Sequence, residues 1–504
     1  MFGAVSLWMI GVDVATAAAH HRVWTGTDGL YLPDQLQYLA WIRDASKHVL
    51  ISDLFVLSPT PHDYLQPAIV ISGGLTALGV APWLSLLLWK PVAVLAVFFA
   101  GRAFCRRMLT DRTARRVALA LAIFYGFVGT YPAVDESLPF LSWGYPFTLL
   151  ATAAMVGALL DYGRAREHRR VTWVAPMLGL LAAWLHPWQG EILILVILGG
   201  EALCLTRGRR VRELLPVAGL TIAATALPLA YYGALDHLDQ VWRLGRVATL
   251  MQHWSFIDTV VPLLPLALVA ALAYRERPRT FMSAATRVWP LSTIVVFELS
   301  KHLFEATPLH AFTGVTIPLA VLAVQGIQLT PWLRRLPRAS VLVWLAVAAV
   351  TIPETAHMMD LVRYKQVSRP NGMNFISHDE QRALTFLRRD PKSGGVITDF
   401  ILGAVVPGET GRRTYIGNCD WSVPHCQWRW NNTWHQFLWT WAWHYPRGWY
   451  ARWLIHRSGA RFVFVSCHSH VFRLERQLRP MLIAAHRFGC ASVYEVRPGP
   501  RYLI

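Results

Sequence analysis

The chain reads as a mainly α, polytopic membrane helix bundle of about 11 spans, followed by a small C-terminal α/β domain. Three observations predict this. Of 504 residues, 54% are hydrophobic and 15% charged, whereas an average soluble domain carries about 25% charged residues. Apolar runs approaching the roughly 20 residues that a bilayer crossing needs recur along the first 353 positions. The arginines gather in short clusters between alternate pairs of those runs, which is the asymmetry that loop charge imposes on membrane proteins.

The same distribution bounds the partners. A net charge of +18 would suit nucleic acid if it lay along one face or tail, but here it is divided among short loops, so the lipid bilayer is the expected partner and nucleic acid is not. Six cysteines in a chain this long do not make a disulfide scaffold.

Residues 2–19 lack a basic leader before their apolar stretch, so they read as a first span rather than a cleaved signal. The further runs are 82–104, 117–132, 144–162, 172–186, 190–206, 215–233, 256–273, 288–300, 311–329 and 341–353. With the N-terminus cytoplasmic, the inner loops carry Arg106, Arg107, Arg112, Arg115 and Arg116, then Arg164 to Arg170, Arg207 to Arg212, Arg275 to Arg279 and Arg334 to Arg338. Outer loops hold chiefly Arg243, Arg246 and Lys301. The stretch 63–80 is apolar enough to be another span, but counting it would invert every later loop. It is therefore expected as a re-entrant or interfacial helix within an outer loop covering 20–81. The expected domains are thus 1–353 in the membrane and 354–504 exoplasmic, in the plasma (inner) membrane.

The tail alternates like a small α/β domain. HDEQRALTFLRRD (378–390) predicts an amphipathic helix; GGVITDF (394–400), RRTYIG (412–417), RFVFVS (461–466) and ASVYEV (491–496) predict strands. An insertion at 421–453 holds nine tryptophans, which suit headgroups and sugar faces alike. Cys419 and Cys426 have His425 between them, but their spacing fits a disulfide in an oxidising space better than zinc. The spacing leaves pairing among Cys419, Cys426, Cys467 and Cys490 open.

In the first outer loop, a helix is expected from Pro33 or Asp34, since proline near N1 and an acid in the first turn favour that start. Asp34 then sits at the membrane edge, where a carboxylate can take a proton from an acceptor hydroxyl. The plainer reading is a helix cap. Asp135 and Glu136, adjacent acids after the third span, suit sugar hydroxyls or a divalent cation, with Mg or Mn matching their oxygen ligands; a solvated turn explains them equally. His186, at the hairpin between spans five and six, is an ionisable residue at membrane depth or a cap on a proline-broken helix. Arg243 and Arg246 share a helical face. With Lys301 and His310 they offer outer-side groups to clamp a phosphate, or ordinary headgroup contacts.

The run PDQLQYLAWIR followed by LLLWKPVAVLAVFFAGRAFCRR resembles the start of the polytopic GT-C glycosyltransferases, and GGVITDFILGAVVPGETGRRTYIGN is similar to the exoplasmic part of bacterial members. The resemblance implies an inverting transferase of the mannosyltransferase-like kind. It would move a hexosyl or pentosyl group from a polyprenyl-phosphate-linked sugar to a glycan, lipid or protein acceptor. It also implies Asp34 as catalytic base and Lys90 as the basic residue opening the second span. The rival readings are an O-antigen ligase or polymerase and a polytopic transporter or flippase; an internal repeat would favour the transporter, and the sequence shows none.

Overall fold

The computed structural model describes residues 1–29, 31–126, 137–205, 215–250, 255–303, 307–330, 339–367, 372–433, 448–468 and 474–499. Each of the eleven expected runs falls at least partly on a helix. Among the described residues, seven helices are long and apolar enough to cross a membrane: Phe2–Ala19, Pro82–Met108, Pro146–Glu167, Pro187–Cys204, Pro216–Leu238, Phe256–Arg275 and Leu342–Lys365. The chain is therefore a multi-pass membrane protein. The other four runs meet the helices Arg112–Phe124, Val174–Leu185, Phe281–Ser300 and Thr316–Gln328. Three of these have 12 or 13 residues, about 18–20 Å at 1.5 Å per residue, against a hydrocarbon core of about 30 Å. Part of the 117–132 run and the arginine clusters at 207–212 and 334–338 lie outside the described residues.

Proline punctuates these boundaries. It stands at the first or second position of the helices beginning at Pro67, Pro82 and Pro146, where a missing N–H costs nothing and the fixed φ suits the helix. One boundary differs from expectation: the helix Ala339–Val367 runs on through Pro353, so the expected division at 353 falls inside a continuous helix. The segment 63–80 forms the helix Pro67–Ala77, whose 11 residues span about 17 Å and fall well short of a crossing.

The contacts divide the chain into two compact units: residues 1–8, 89–234 and 252–362, and residues 9–88, 235–251 and 363–504. In the first, Pro146–Glu167 is the central helix, 83% buried along its most apolar window. Its polar groups are paired, as a low-dielectric surround requires. Tyr162 Oη donates to Glu201 Oε1 at 2.9 Å, and Arg166 donates to both Glu201 oxygens. Leucines on several helices, among them Leu95, Leu198, Leu227, Leu268 and Leu345, are exposed, an apolar exterior suited to acyl chains.

In the second unit, β1 (Val23–Trp24) pairs antiparallel with β2 (Phe375–Ile376). A four-stranded sheet has the order β3-β4-β6-β5, with β3 Val396–Ile397, β4 Phe462–Val465, β5 Leu482–Phe488 and β6 Ala491–Val496. The β3 and β4 strands are parallel and the other pairs antiparallel. The helix His378–Arg389 matches its sequence reading and begins with a reciprocal cap between Ser377 and Glu380. The expected strand at 412–417 is reduced to a single bridge from Thr414 to Val396. It turns away because Gly417 meets the backbone of Gly403, leaving no room even for a Cβ on either residue. The sequence reading did not include β5, whose alternate half-buried positions lie at the sheet edge. The cysteines pair as Cys419–Cys426 and Cys467–Cys490.

Small residues bring helices of this unit together. A Cβ on Gly408 would lie 3.0 Å from Leu39, and one on Gly73 would lie 2.5 Å from Ala45. The helix Leu32–Ala45 is thereby packed on both Pro67–Ala77 and the tail helix Phe400–Thr410.

Candidate functional site

Asp34 lies in the first turn of Leu32–Ala45, half-buried, three residues after the N-cap Tyr31. It is therefore not the N-cap, although its charge favours the positive end of the helix. Gln35 holds the preceding loop: its Oε1 accepts from Asp28 N at 2.8 Å, and its Nε2 donates to the carbonyls of Asp28 and Tyr31. Farther back, Thr25 Oγ1 donates to the Met373 carbonyl at 2.8 Å, and Asn374 Nδ2 donates to the Thr27 carbonyl. Gly26, at φ +88°, faces Trp83 so closely that a Cβ would lie 2.1 Å from that side chain. This backbone conformation and approach both require glycine. The segment leading to Asp34 is thus fixed at both ends by buried polar contacts.

The TGRR run becomes intelligible in the same unit. Gly411, at φ +74°, closes the helix Phe400–Thr410 in the left-handed conformation. The next two arginines then go to different places. Arg412 donates to the carbonyls of Leu387, Asp390, Lys392 and Gly394 within the tail and stacks 4.6 Å from the Phe462 ring centroid. Arg413 donates to the carbonyls of Asp53 and Ser58 and to Thr60 Oγ1, organising the loop that follows the Asp34 helix.

That loop contains a group the sequence reading missed. Asp53 is buried, and its Oδ1 accepts from Phe55 N at 2.8 Å. Burial pushes its carboxyl up to about 7, against the pull of that hydrogen bond and of Arg413 and Arg429. Beside it, a cavity of about 430 Å³ is lined by Pro59, Thr60, Asp239, Gln240, Tyr415 and Arg429, among others. Burial lowers the affinity of the Arg429 guanidinium for its proton, and its Nη1 and Nη2 donate to the carbonyls of Tyr415 and Val423. These groups come from positions about 190 residues apart at each step, with no local motif to link them.

Of the outer cations in this unit, Arg246 pairs with Asp236 at 2.6 Å and Arg243 is exposed. Trp421 packs on Trp41 and Trp242, with centroids 5.3 and 5.2 Å apart. Trp428 and Trp430 are exposed, and Trp434, Trp439, Trp441 and Trp443 lie outside the described residues.

The first unit brings His186 and His310 together, with ring centroids 4.9 Å apart and both rings against Trp188. Gln189 bonds His186 Nδ1 and donates to the Thr313 carbonyl at 3.3 Å. Lys90 is buried within the apolar helical run beginning at Pro82, and its Nζ donates to the Ser6 carbonyl at 3.4 Å. Lys301 pairs with Glu298 at 2.9 Å and lies over Phe297. Asp135 and Glu136 lie outside the described residues.

No family model and no curated protein sequence matches the chain. Solved structures do. ArnT from Cupriavidus metallidurans, bound to undecaprenyl phosphate, is 12% identical with a TM-score of 0.51, over 98% of this chain and 97% of that one. The archaeal oligosaccharyltransferase AglB from Archaeoglobus fulgidus, in complex with an inhibitory peptide and a dolichol-phosphate, is 14% identical with a TM-score of 0.51, over 91% and 69%. The mycobacterial arabinofuranosyltransferase AftD is 14% identical with a TM-score of 0.50, over 98% and 42%. The architecture common to these three is the GT-C fold, and the chain has that fold.

Proposed function

We propose that the protein is an inverting glycosyltransferase that moves a sugar from a polyprenyl-phosphate donor to a glycan, lipid or protein acceptor on the outer side of the membrane. The observation that carries this reading is the fold likeness to ArnT, which takes in nearly the whole length of both chains. The fixed half-buried placement of Asp34 adds to it.

In the proposed reaction the Asp34 carboxylate accepts the proton of the acceptor hydroxyl as that oxygen attacks the anomeric carbon. The bond from that carbon to the phosphate oxygen breaks on the opposite face, and polyprenyl phosphate leaves with the bonding electrons. Lys90, Arg243, Arg246 and Lys301 are each proposed as a candidate phosphate contact, since cations stabilise the charge that grows on the leaving group. Arg246 and Lys301 would exchange Asp236 and Glu298 for phosphate. His310 is proposed to act with those cations and His186 as a further substrate contact, while Asp135 and Glu136 are proposed to bind sugar hydroxyls, the two acids also suiting Mg or Mn. A hexosyl and a pentosyl donor both remain within this reading.

The plasma (inner) membrane, with a cytoplasmic N-terminus and an exoplasmic 354–504 domain, is the proposed setting. The loop arginine asymmetry supports it, as do two disulfides in the tail, a bond of oxidising compartments. Incubation of the purified chain with labelled polyprenyl-phosphate hexoses and pentoses and an envelope extract is the test. Label should leave the donor band on thin-layer chromatography and appear in a glycan, lipid or protein product; no transfer from any donor of either class would contradict the reading.

A further inference from the structure

We infer that Asp44, His48 and His62 form a binding site for a divalent transition ion of the zinc class, which clips the loop 52–63 onto the end of the Asp34 helix. Asp44 and His48 are four residues apart, and His48 N donates to the Asp44 carbonyl at 3.1 Å. The helical turn therefore continues past Ala45 and sets both side chains on one face. His62 arrives from the other end of the loop. Ile51 and Tyr64 exchange both backbone hydrogen bonds, at 2.9 and 3.2 Å, so residues 52–63 are closed at their base and His62 is returned to the helix end.

The donor atoms converge. One ligand atom from each residue can be chosen such that all three lie within 4.8 Å of one another. The His48 and His62 ring centroids are 4.2 Å apart. Most telling is His62 Nε2, 3.4 Å from Asp44 Oδ2. That is long for a charge-assisted hydrogen bond, which runs about 2.7–2.9 Å. It matches the edge, about 3.4 Å, of a tetrahedron whose corners lie about 2.0–2.1 Å from a central zinc. His48 and His62 are exposed, and their imidazoles can make the remaining adjustment.

The carboxylate is oriented as ligating groups usually are. Asp44 is buried, and its Oδ2 accepts from Ser52 N at 2.8 Å and from Ser52 Oγ at 3.0 Å. Such outer partners fix a ligand's direction. Two imidazoles and one carboxylate suit zinc and its neighbours better than magnesium or calcium, which take oxygen ligands. The exposed histidine side leaves a fourth position open to water. Ten residues separate Asp34 from Asp44, about 15 Å along a helix, so the ion does not reach the proposed base. Its role is to hold the loop, and the inference stands independently of sugar transfer. Asp379, Cys467 and Cys490 also cluster, but those cysteines form a disulfide and have no thiolate to offer.

The test uses the full chain, purified in detergent without a histidine tag, stripped with a chelator and titrated with zinc chloride against a competing dye. Wild type should take up one equivalent, with magnesium chloride unable to displace it. His48→Ala and His62→Ala, both at exposed positions, should each bind at least about 100-fold more weakly, and Ser52→Ala about 10–100-fold more weakly. Zinc should also raise the thermal midpoint of wild type and not that of either alanine variant. No uptake by folded wild type, or equal uptake by wild type and both histidine variants, would overturn the site.

Discussion

Asn418 donates from Nδ2 to Gln37 Oε1 at 3.0 Å, across 381 positions of chain. Both residues are buried. The bond joins the segment following the tail helix to the helix that carries Asp34, one turn beyond that acid. Truncating either partner to alanine strands the other in an apolar surround, which costs about 1–3 kcal/mol. Gln37→Ala and Asn418→Ala should each lower the thermal midpoint by a few degrees, and the double variant should lose less than the sum of the two. Strict additivity in the double-mutant cycle would show that the bond contributes no coupling.

Asp53 gives stability a pH dependence of defined sign. Its carboxyl titrates near 7 in the fold, against an ordinary 3.8. Between those values the folded chain holds a proton that the unfolded chain has lost. Stability from this group is therefore greatest at low pH and falls as pH rises from about 4 towards 7, by up to ~1.4 kcal/mol per pH unit. The difference in thermal midpoint between wild type and Asp53→Asn should change steadily across that window and level off above it. A constant difference would place the titration elsewhere.

Glycines separate tight packing from mere helical position. A Cβ on Gly403 would lie 1.8 Å from the Ile416 carbonyl oxygen, whereas one on Gly74 meets nothing within 4 Å. Gly403→Ala must displace backbone and should cost about 1–3 kcal/mol or more. Gly74→Ala, in a helix, should be neutral or stabilising by about 0.5–1 kcal/mol. Thermal unfolding of the two variants side by side checks both.

The buried ion pair of the first unit should respond asymmetrically. Glu201→Ala leaves Arg166 and Tyr162 without their shared acceptor, a loss of about 3–5 kcal/mol. Replacing Arg166 and Glu201 together by methionine and leucine should restore much of it. Unfolding midpoints of both variants in one detergent decide; a double variant no more stable than Glu201→Ala would contradict the argument.

Local chemistry is what made much of this fold legible. Prolines at helix starts, the Ser377 and Glu380 cap, and long apolar runs each act within a few residues, so sequence spacing alone carries them. Strand 412–417 misled because its run of Thr, Tyr and Ile suits a strand, while its pairing stops at Thr414 and Gly417 closely approaches Gly403, which no local pattern encodes. Arg412 and Arg413 lie within the run that resembles bacterial GT-C members, yet their separate targets at 387–394 and 53–60 depend on tertiary contacts. The same holds for Asp53 beside Arg429, and for His62 returning to Asp44. Asp34 was visible because an acid beside proline at the head of an amphipathic helix is a local signal. The partners that hold its helix, Asn418 above all, are distant in the chain.

The central claim is that Asp34 removes the acceptor proton. The direct measurement is the rate of label transfer from a polyprenyl-phosphate sugar by wild type and by Asp34→Asn, with donor binding and thermal midpoint measured on the same preparations. A neutral amide of the same shape cannot accept that proton. The account predicts a fall in turnover of about 10²–10⁴, with donor affinity and folding retained. Turnover equal to wild type in a folded, donor-binding Asp34→Asn protein would contradict it.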